Sequence, residues 1–250
     1  LTVLSNSLSE ANEKLKDLDK LKTEFLSLAS HQLRSPLTAI TGYTSMLLDG
    51  SFGEVQPKQK EAIDRVFESS RHLTKVVEDL LNVSKIEQGG MKYEMKPFDF
   101  TEAVSTLSAD LSVTAEKKGL KLKFSTDSSN NYFVNGDMEK IRQVIINLID
   151  NSIKYTETGG SIDVSVTYSP LDRVLLSIKD TGMGIEPSIA KTLFQKFSRG
   201  EGGKVNTGGS GLGLYLAKEI IDAHKGKIWL ESKGKGKGTE FYVELSALDR

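Results

Sequence analysis

The sequence predicts an α+β fold: an N-terminal helical hairpin that pairs into a dimeric four-helix bundle, then an α/β sandwich, a mixed sheet with helices on one face. Three observations lead there. Apolar residues recur at helical spacing from Leu1 to the break at Gln88-Gly89-Gly90. From Lys92 onward, short alternating runs interleave with helical ones. A length of 250 residues, 38% of them hydrophobic and 27% charged, suits two ordinary globular domains with a core each.

Composition also excludes. A formal net charge of −1 offers no basic surface to nucleic acid or an anionic membrane. The absence of cysteine rules out disulfides, thiolate metal sites and cysteine nucleophiles, and fits a reducing compartment. No apolar run reaches the roughly 18 residues of a membrane-crossing helix, and no signal peptide is visible. The expected location is therefore cytoplasmic, without membrane contact in this stretch, although a longer protein can carry an anchor elsewhere. The opening at Leu1, in mid-helical pattern, predicts a fragment whose upstream part is missing.

Residues 1–20 read as a coiled-coil signalling linker, because Leu1, Leu4, Leu8, Ala11, Leu15 and Leu18 step by three and four along a heptad seam. The seam continues as Leu21, Phe25 and Leu28, through either a stammer or Lys22 at a core position. Its expected work is dimerisation, with transmission of a twist from an upstream sensor added to it. Residues 21–89 form the hairpin. Its first helix runs through Leu33, Leu37, Ile40 and Leu47 to the turn-rich Asp49-Gly50-Ser51-Phe52-Gly53. Pro57 suits the first turn of the second helix, whose buried face is Ile63, Val66, Leu73, Val77 and Leu80. A single hairpin cannot cover both apolar stripes, so a homodimer is expected. Residues 90–250 form the second domain. Strands are expected over 92–100, 120–124, 161–167, 173–179, 228–232 and 240–245, with helices over 101–118, 137–155 and 213–224.

Three clusters in the second domain point to a nucleotide. Asn147, Asn151 and Lys154 fall at i, i+4 and i+7 and so share one helix face. Amide oxygens suit a hard cation such as Mg²⁺, and an ammonium suits phosphates. Asp180-Thr181-Gly182-Met183-Gly184 follows an alternating strand, which puts an acceptor-only carboxylate at a strand end, where it can receive the exocyclic amine of adenine. Gly182 and Gly184 allow close backbone approach to a flat base. Gly208-Gly209-Ser210-Gly211-Leu212-Gly213-Leu214 opens a helix, so freed backbone N–H groups and a helix N-terminus can cradle phosphates. No Gly-Lys-Ser/Thr follows, so this is not a Walker loop. The glycine-rich Ser198–Gly208, with Phe194 and Phe197 before it, reads as a lid over ATP.

Of the three histidines, His31 stands out. Leu28, Leu33 and Leu37 take the buried face of its helix and leave the imidazole outward, while Pro36 removes a helical hydrogen bond to Gln32 one turn on. An exposed imidazole beside a kink suits a nucleophile. His72 and His224 are expected to be structural.

Taken together, these motifs resemble the bacterial sensor histidine kinases over essentially the whole chain. His31-Gln32-Leu33-Arg34-Ser35-Pro36 is similar to that family's H box, and Asn147–Tyr155 to its N box. Asp180–Gly184 resembles its G1 box, Leu193–Phe197 its F box, and Gly209-Ser210-Gly211-Leu212-Gly213 its G2 box. The resemblance implies ATP with Mg²⁺ as cofactors, a homodimer, and a response-regulator receiver domain as partner. His31 would attack the γ-phosphate through Nε2. Asn151 would hold Mg²⁺ with support from Asn147, while Lys154 and Tyr155 would contact the phosphates and the sugar side. Asp180, helped by Thr239, would read adenine, and Arg199 would reach the γ-phosphate during transfer. Where ATP-hydrolysing relatives of the domain carry a water-activating glutamate this chain has Asn147, which cannot act as a base, so ATP is expected to be held for transfer. Gln32 departs from the usual acidic residue and adds no negative charge beside His31. Ser35 stands where the family often has Thr or Asn, and its hydroxyl keeps a reverse phosphatase reaction open. A serine kinase on the same nucleotide fold would not need the His31-to-Pro36 motif, and a non-enzymatic scaffold would not need its N and G boxes intact.

Overall fold

Helices α1 (Thr2–Leu48) and α2 (Pro57–Glu87) make up most of the first of two units, Leu1–Met91 and Lys92–Arg250. This computed structural model describes residues 2–127, 132–169, 173–190, 192–198 and 210–248. α1 runs through Pro36. The turn after it uses Gly50 and Gly53, both at positive φ, and α2 then starts with Pro57 in its first turn and a capping box. In that box the Gln56 backbone N–H donates to Gln59 Oε1 at 3.2 Å.

One hairpin buries Leu37, Val77 and Val83 but leaves Phe25, Leu28, Leu33, Ile40, Tyr43, Val66 and Leu73 exposed. Leu28, Leu33, Val66 and Leu73, expected on the buried faces of a dimeric bundle, are not covered by the chain's own helices. The reason is geometric: two helices meet along a single seam, and the rest of each apolar stripe needs further helices. Leu18 and Leu21 are likewise exposed, while the side chains of Leu4, Leu8, Ala11 and Leu15, and Leu1 entirely, lie outside the described residues.

In the second unit, β1 (Lys96–Asp99) leads into α3 (Phe100–Lys117), β2 (Lys121–Thr126), β3 (Phe133–Gly136) and α4 (Met138–Tyr155). β4 (Ser161–Ser169), β5 (Arg173–Asp180), the single turn α5 (Pro187–Ala190), α6 (Gly213–Ala223), β6 (Lys227–Glu231) and β7 (Thr239–Ser246) follow. Five strands form a mixed sheet in the order β2-β4-β5-β7-β6, parallel only between β2 and β4. β1 and β3 pair in a separate antiparallel ladder. The strand expected over 92–100 is therefore only four residues long. Asp99 ends it by turning to cap α3, its Oδ1 accepting from the Glu102 N–H at 3.0 Å. β3 and α5 escape sequence reading because each is four residues long, too short for a period to register.

Alternation builds the core. Ile162, Val164 and Val166 of β4, Val174, Leu176 and Ile178 of β5, and Phe241, Val243 and Leu245 of β7 are all buried, and strand register puts them on one face. α3, α4 and α6 cover that face with Val104, Leu107, Ile145, Leu148, Ile149, Ile220 and Ile221. The row ends in Ile162, Asp180 and Thr239 side by side, so a carboxylate sits at the edge of an apolar layer. Where α6 ends, His224 Nε2 accepts from the Asp137 N–H at 2.9 Å, and Nδ1 lies 2.7 Å from Ile220 O. A backbone N–H can only donate, so Nδ1 carries the proton and both ring nitrogens are used. Among the described residues no helix is long and apolar enough to cross a membrane.

Candidate active site

The site is built on α4. Asp137 caps it, Oδ1 accepting from the Lys140 N–H at 3.1 Å and Oδ2 from the Glu94 N–H at 3.0 Å. Val144, Ile145, Leu148 and Ile149 bury one face in the core. Asn147, Asn151 and Lys154 stand half-buried on another, with the Lys154 ammonium 5.1 Å from the centre of the Tyr155 ring. Asn147 Nδ2 is buried without a partner. Its Oδ1 lies 2.5 Å from where a Cβ on Gly213 would be, so any larger first residue of α6 would displace this amide.

Asp180 ends β5 at 6% exposure. Its Oδ1 accepts the Gly182 N–H at 2.9 Å and the Thr239 N–H at 3.1 Å, and Oδ2 accepts the Ser152 hydroxyl at 3.2 Å. Burial pushes the carboxyl up from its ordinary value, and these three donors pull it part of the way back. The group is thus fixed in place, with lone pairs left over for one more donor. Thr239 serves through its backbone. Ser152 was missed by sequence reasoning, although a hydroxyl between Ile149 and Ile153 on an apolar face is the signal that could have found it.

The loop after Asp180 is gripped from both sides. Met183 N–H donates to Tyr155 O at 3.1 Å and Gly238 N–H to Gly182 O at 3.1 Å. A Cβ on Gly182 would stand 2.5 Å from Tyr155 O, and Gly184 adopts φ +67° against Gly234. Gly182→Ala is accordingly expected to push the loop off α4 and weaken the nucleotide binding expected of this site about tenfold, or ~1.4 kcal/mol. Isothermal titration calorimetry on the folded variant checks this.

Before α6, Leu193 is buried, Phe194 packs on the core and Phe197 is exposed at φ 58°. Gly211 lies against the Phe197–Ser198 backbone, Leu212 is buried, and the Lys196 ammonium sits 5.0 Å over the Tyr215 ring. Arg199, Gly209 and the 199–208 part of the expected lid lie outside the described residues. In the first unit, His31, Gln32 and Ser35 are exposed on α1 and Arg34 is half-buried, its carbonyl accepting from the Thr38 hydroxyl at 2.9 Å.

Two family models match the chain. Residues 21–89 match the His Kinase A (phospho-acceptor) domain, and residues 136–249 the histidine kinase-, DNA gyrase B- and HSP90-like ATPase domain. The circadian input-output histidine kinase CikA of Synechococcus elongatus is 35% identical over 89% of this chain and 29% of its own length. The autoinducer 2 sensor kinase/phosphatase LuxQ of Vibrio parahaemolyticus is 32% identical over 100% of this chain and 30% of its own length. The chain thus spans about a third of the curated relatives it matches. Among solved structures, full-length ShkA in complex with AMPPNP matches 91% of this chain and 46% of its own at a TM-score of 0.72 and 25% identity. The Acinetobacter baumannii histidine kinase AdeS matches 88% of this chain and 98% of its own at 0.59 and 27%.

Proposed function

This chain belongs to the sensor histidine kinases, and from that premise we propose that it moves the γ-phosphoryl group of ATP to His31 and then to an aspartate of a response-regulator receiver domain. One observation carries the nucleotide half: a buried carboxylate, Asp180, oriented by three donors at the end of a core strand and still able to accept from an adenine amine. Asn147 Nδ2, buried and unpartnered beside the glycine that starts α6, supports a phosphate-side ligand there.

Residues 1–20 act as a coiled-coil linker, 21–89 as dimerisation and phosphoacceptor domain, and 90–250 as ATP-binding domain. The exposed apolar stripe of the hairpin supports a homodimer. In transfer, the Nε2 lone pair of His31 attacks the γ-phosphorus, an N–P bond forms, and the bond to the β–γ bridging oxygen breaks as ADP leaves. Gln32 can accept the Nδ1 proton's hydrogen bond and so present Nε2 unprotonated. His31 must come within reacting distance of the γ-phosphate in line, and the connection at Gln88–Met91 is where the two units would rotate.

Among the described residues no group of three His, Asp or Glu side chains could hold a metal. Asn151, with Asn147, would instead bind Mg²⁺ through amide oxygens together with the phosphates, and the ion would supply charge neutralisation. Lys154, Tyr155, Arg199 and the loop residues Gly209, Gly211, Leu212 and Gly213 would hold the phosphates, with Phe197 at the lid's edge. A neutral Gln32 adds no negative charge beside His31, so Gln32→Glu is expected to speed autophosphorylation at saturating ATP several-fold. A single-turnover rate measurement checks it. The Ser35 hydroxyl can orient water for regulator dephosphorylation, and the similarity to a protein named sensor kinase/phosphatase supports that second activity.

The test is the chemistry of the label. Incubation with γ-labelled ATP and Mg²⁺ is expected to give acid-labile, alkali-stable phosphate on the chain. Acid-stable label would point to serine transfer, and ATP binding without label to a scaffold.

A further inference from the structure

We propose that Lys118 is a positioning residue of the nucleotide site, holding the last turn of α4 at the distance from the Asp180 loop that ATP binding requires. The proposal rests on the reading of Asp180 and the α4 face as the ATP site.

A helix leaves its last four carbonyls without intrahelical partners. At the end of α4 each carbonyl from Ile153 to the cap residue Thr156 is met from outside the helix. Lys118 Nζ donates to Ile153 O at 2.6 Å, Lys154 O at 2.8 Å and Thr156 O at 2.8 Å, which uses all three ammonium donors. The remaining carbonyl, Tyr155 O, accepts the Met183 N–H of the Asp180 loop at 3.1 Å. One side chain from the end of α3 therefore sets the turn that carries Lys154 and Tyr155, and the same turn supplies the contact that seats the loop. Its positive charge also suits a helix C-terminus.

There is no slack in this contact, since even a Cβ on Gly182 would come within 2.5 Å of Tyr155 O. Fraying of the α4 end would move the Asp180 loop and the two side chains together. The two turns are also joined without the ammonium. Thr158 Oγ1 donates to Lys118 O at 3.1 Å, Gly159 N–H to Gly119 O at 2.9 Å and Lys121 N–H to Gly160 O at 3.1 Å, so one side-chain and two backbone bonds already join the turn after α3 to the turn after α4. Losing the ammonium should loosen the site more than the domain.

The experiment uses the 250-residue chain with Lys118→Met, Lys118→Arg and, as a control, Arg173→Met. Arg173 donates to Lys225 O at 2.9 Å and lies at the opposite end of β5 from Asp180. Titration of the parent with ATP comes first, because no binding there defeats the reading of the site itself. Lys118→Met is expected to weaken ATP binding about tenfold, with the phosphorylation rate at saturating ATP within about twofold of the parent. Amide exchange at Met183 should speed up, and Lys118→Arg should restore part of the affinity. Unchanged affinity in Lys118→Met, or an equal loss in an Arg173→Met chain of matched thermal stability, overturns the proposal. A Lys118→Met chain that does not fold overturns it too, since Lys118 would then serve the fold and not the site.

Discussion

His31→Ala is expected to lose all label from γ-labelled ATP while binding ATP as the parent does. The acceptor must be an exposed nitrogen with a free lone pair, and few candidates remain. His224 is excluded by its contacts: it is buried, Nε2 takes the Asp137 N–H and Nδ1 gives its proton to Ile220 O. His72 is exposed on α2 and serves as the internal control. His72→Ala should label fully. His31 belongs to the first unit and the proposed ATP-binding residues to the second, so ATP affinity serves as the check that the second unit is intact. Undiminished label on His31→Ala would defeat the assignment, and an equal drop in ATP affinity would show that the variant had lost more than an acceptor.

Asp180→Asn should weaken ATP binding about a hundredfold, or ~2.7 kcal/mol, without lowering stability. The asparagine oxygen can keep the Gly182 and Thr239 N–H bonds, but an NH₂ group then replaces Oδ2. That group would face the adenine amine donor to donor. Stability should move the other way. Burial raises the carboxyl pKa, so the folded state takes up the proton at a higher pH than the unfolded chain does. The stability this gives is complete below the ordinary carboxylate pKa of about 4 and is lost as pH rises through the raised folded value. At neutral pH the buried charge is a cost, and asparagine removes it. Thermal melts of the ATP-free chain should therefore show Tm held or raised, with the pH dependence reduced between about pH 4 and the raised value. Retained ATP affinity would sink the adenine role. A fall in Tm would mean that the three donors depend on the charge.

Much of the second unit was legible because its signals are local. The i, i+4, i+7 spacing of Asn147, Asn151 and Lys154 places them on one face of any α-helix, whatever packs beside it. Alternation in 161–167 and 173–179 likewise foretold β4 and β5. In the hairpin the same logic identified which residues are apolar but not what covers them. Leu28 and Leu33 stay exposed in a single chain because burial belongs to the partner of a face, not to its period.

What the sequence by itself determined, then, is which side chains share a helix face or end a strand, since dihedral periodicity is a property of neighbours in the chain. Tertiary structure alone decided which groups meet them. The Asp180 carboxylate is aimed by Ser152 and Thr239, 28 and 59 residues away, and the α4 end is held by Lys118 from 35 or more residues upstream. Such pairings follow from strand register and helix packing, which depend on the whole core, so no local spacing encodes them.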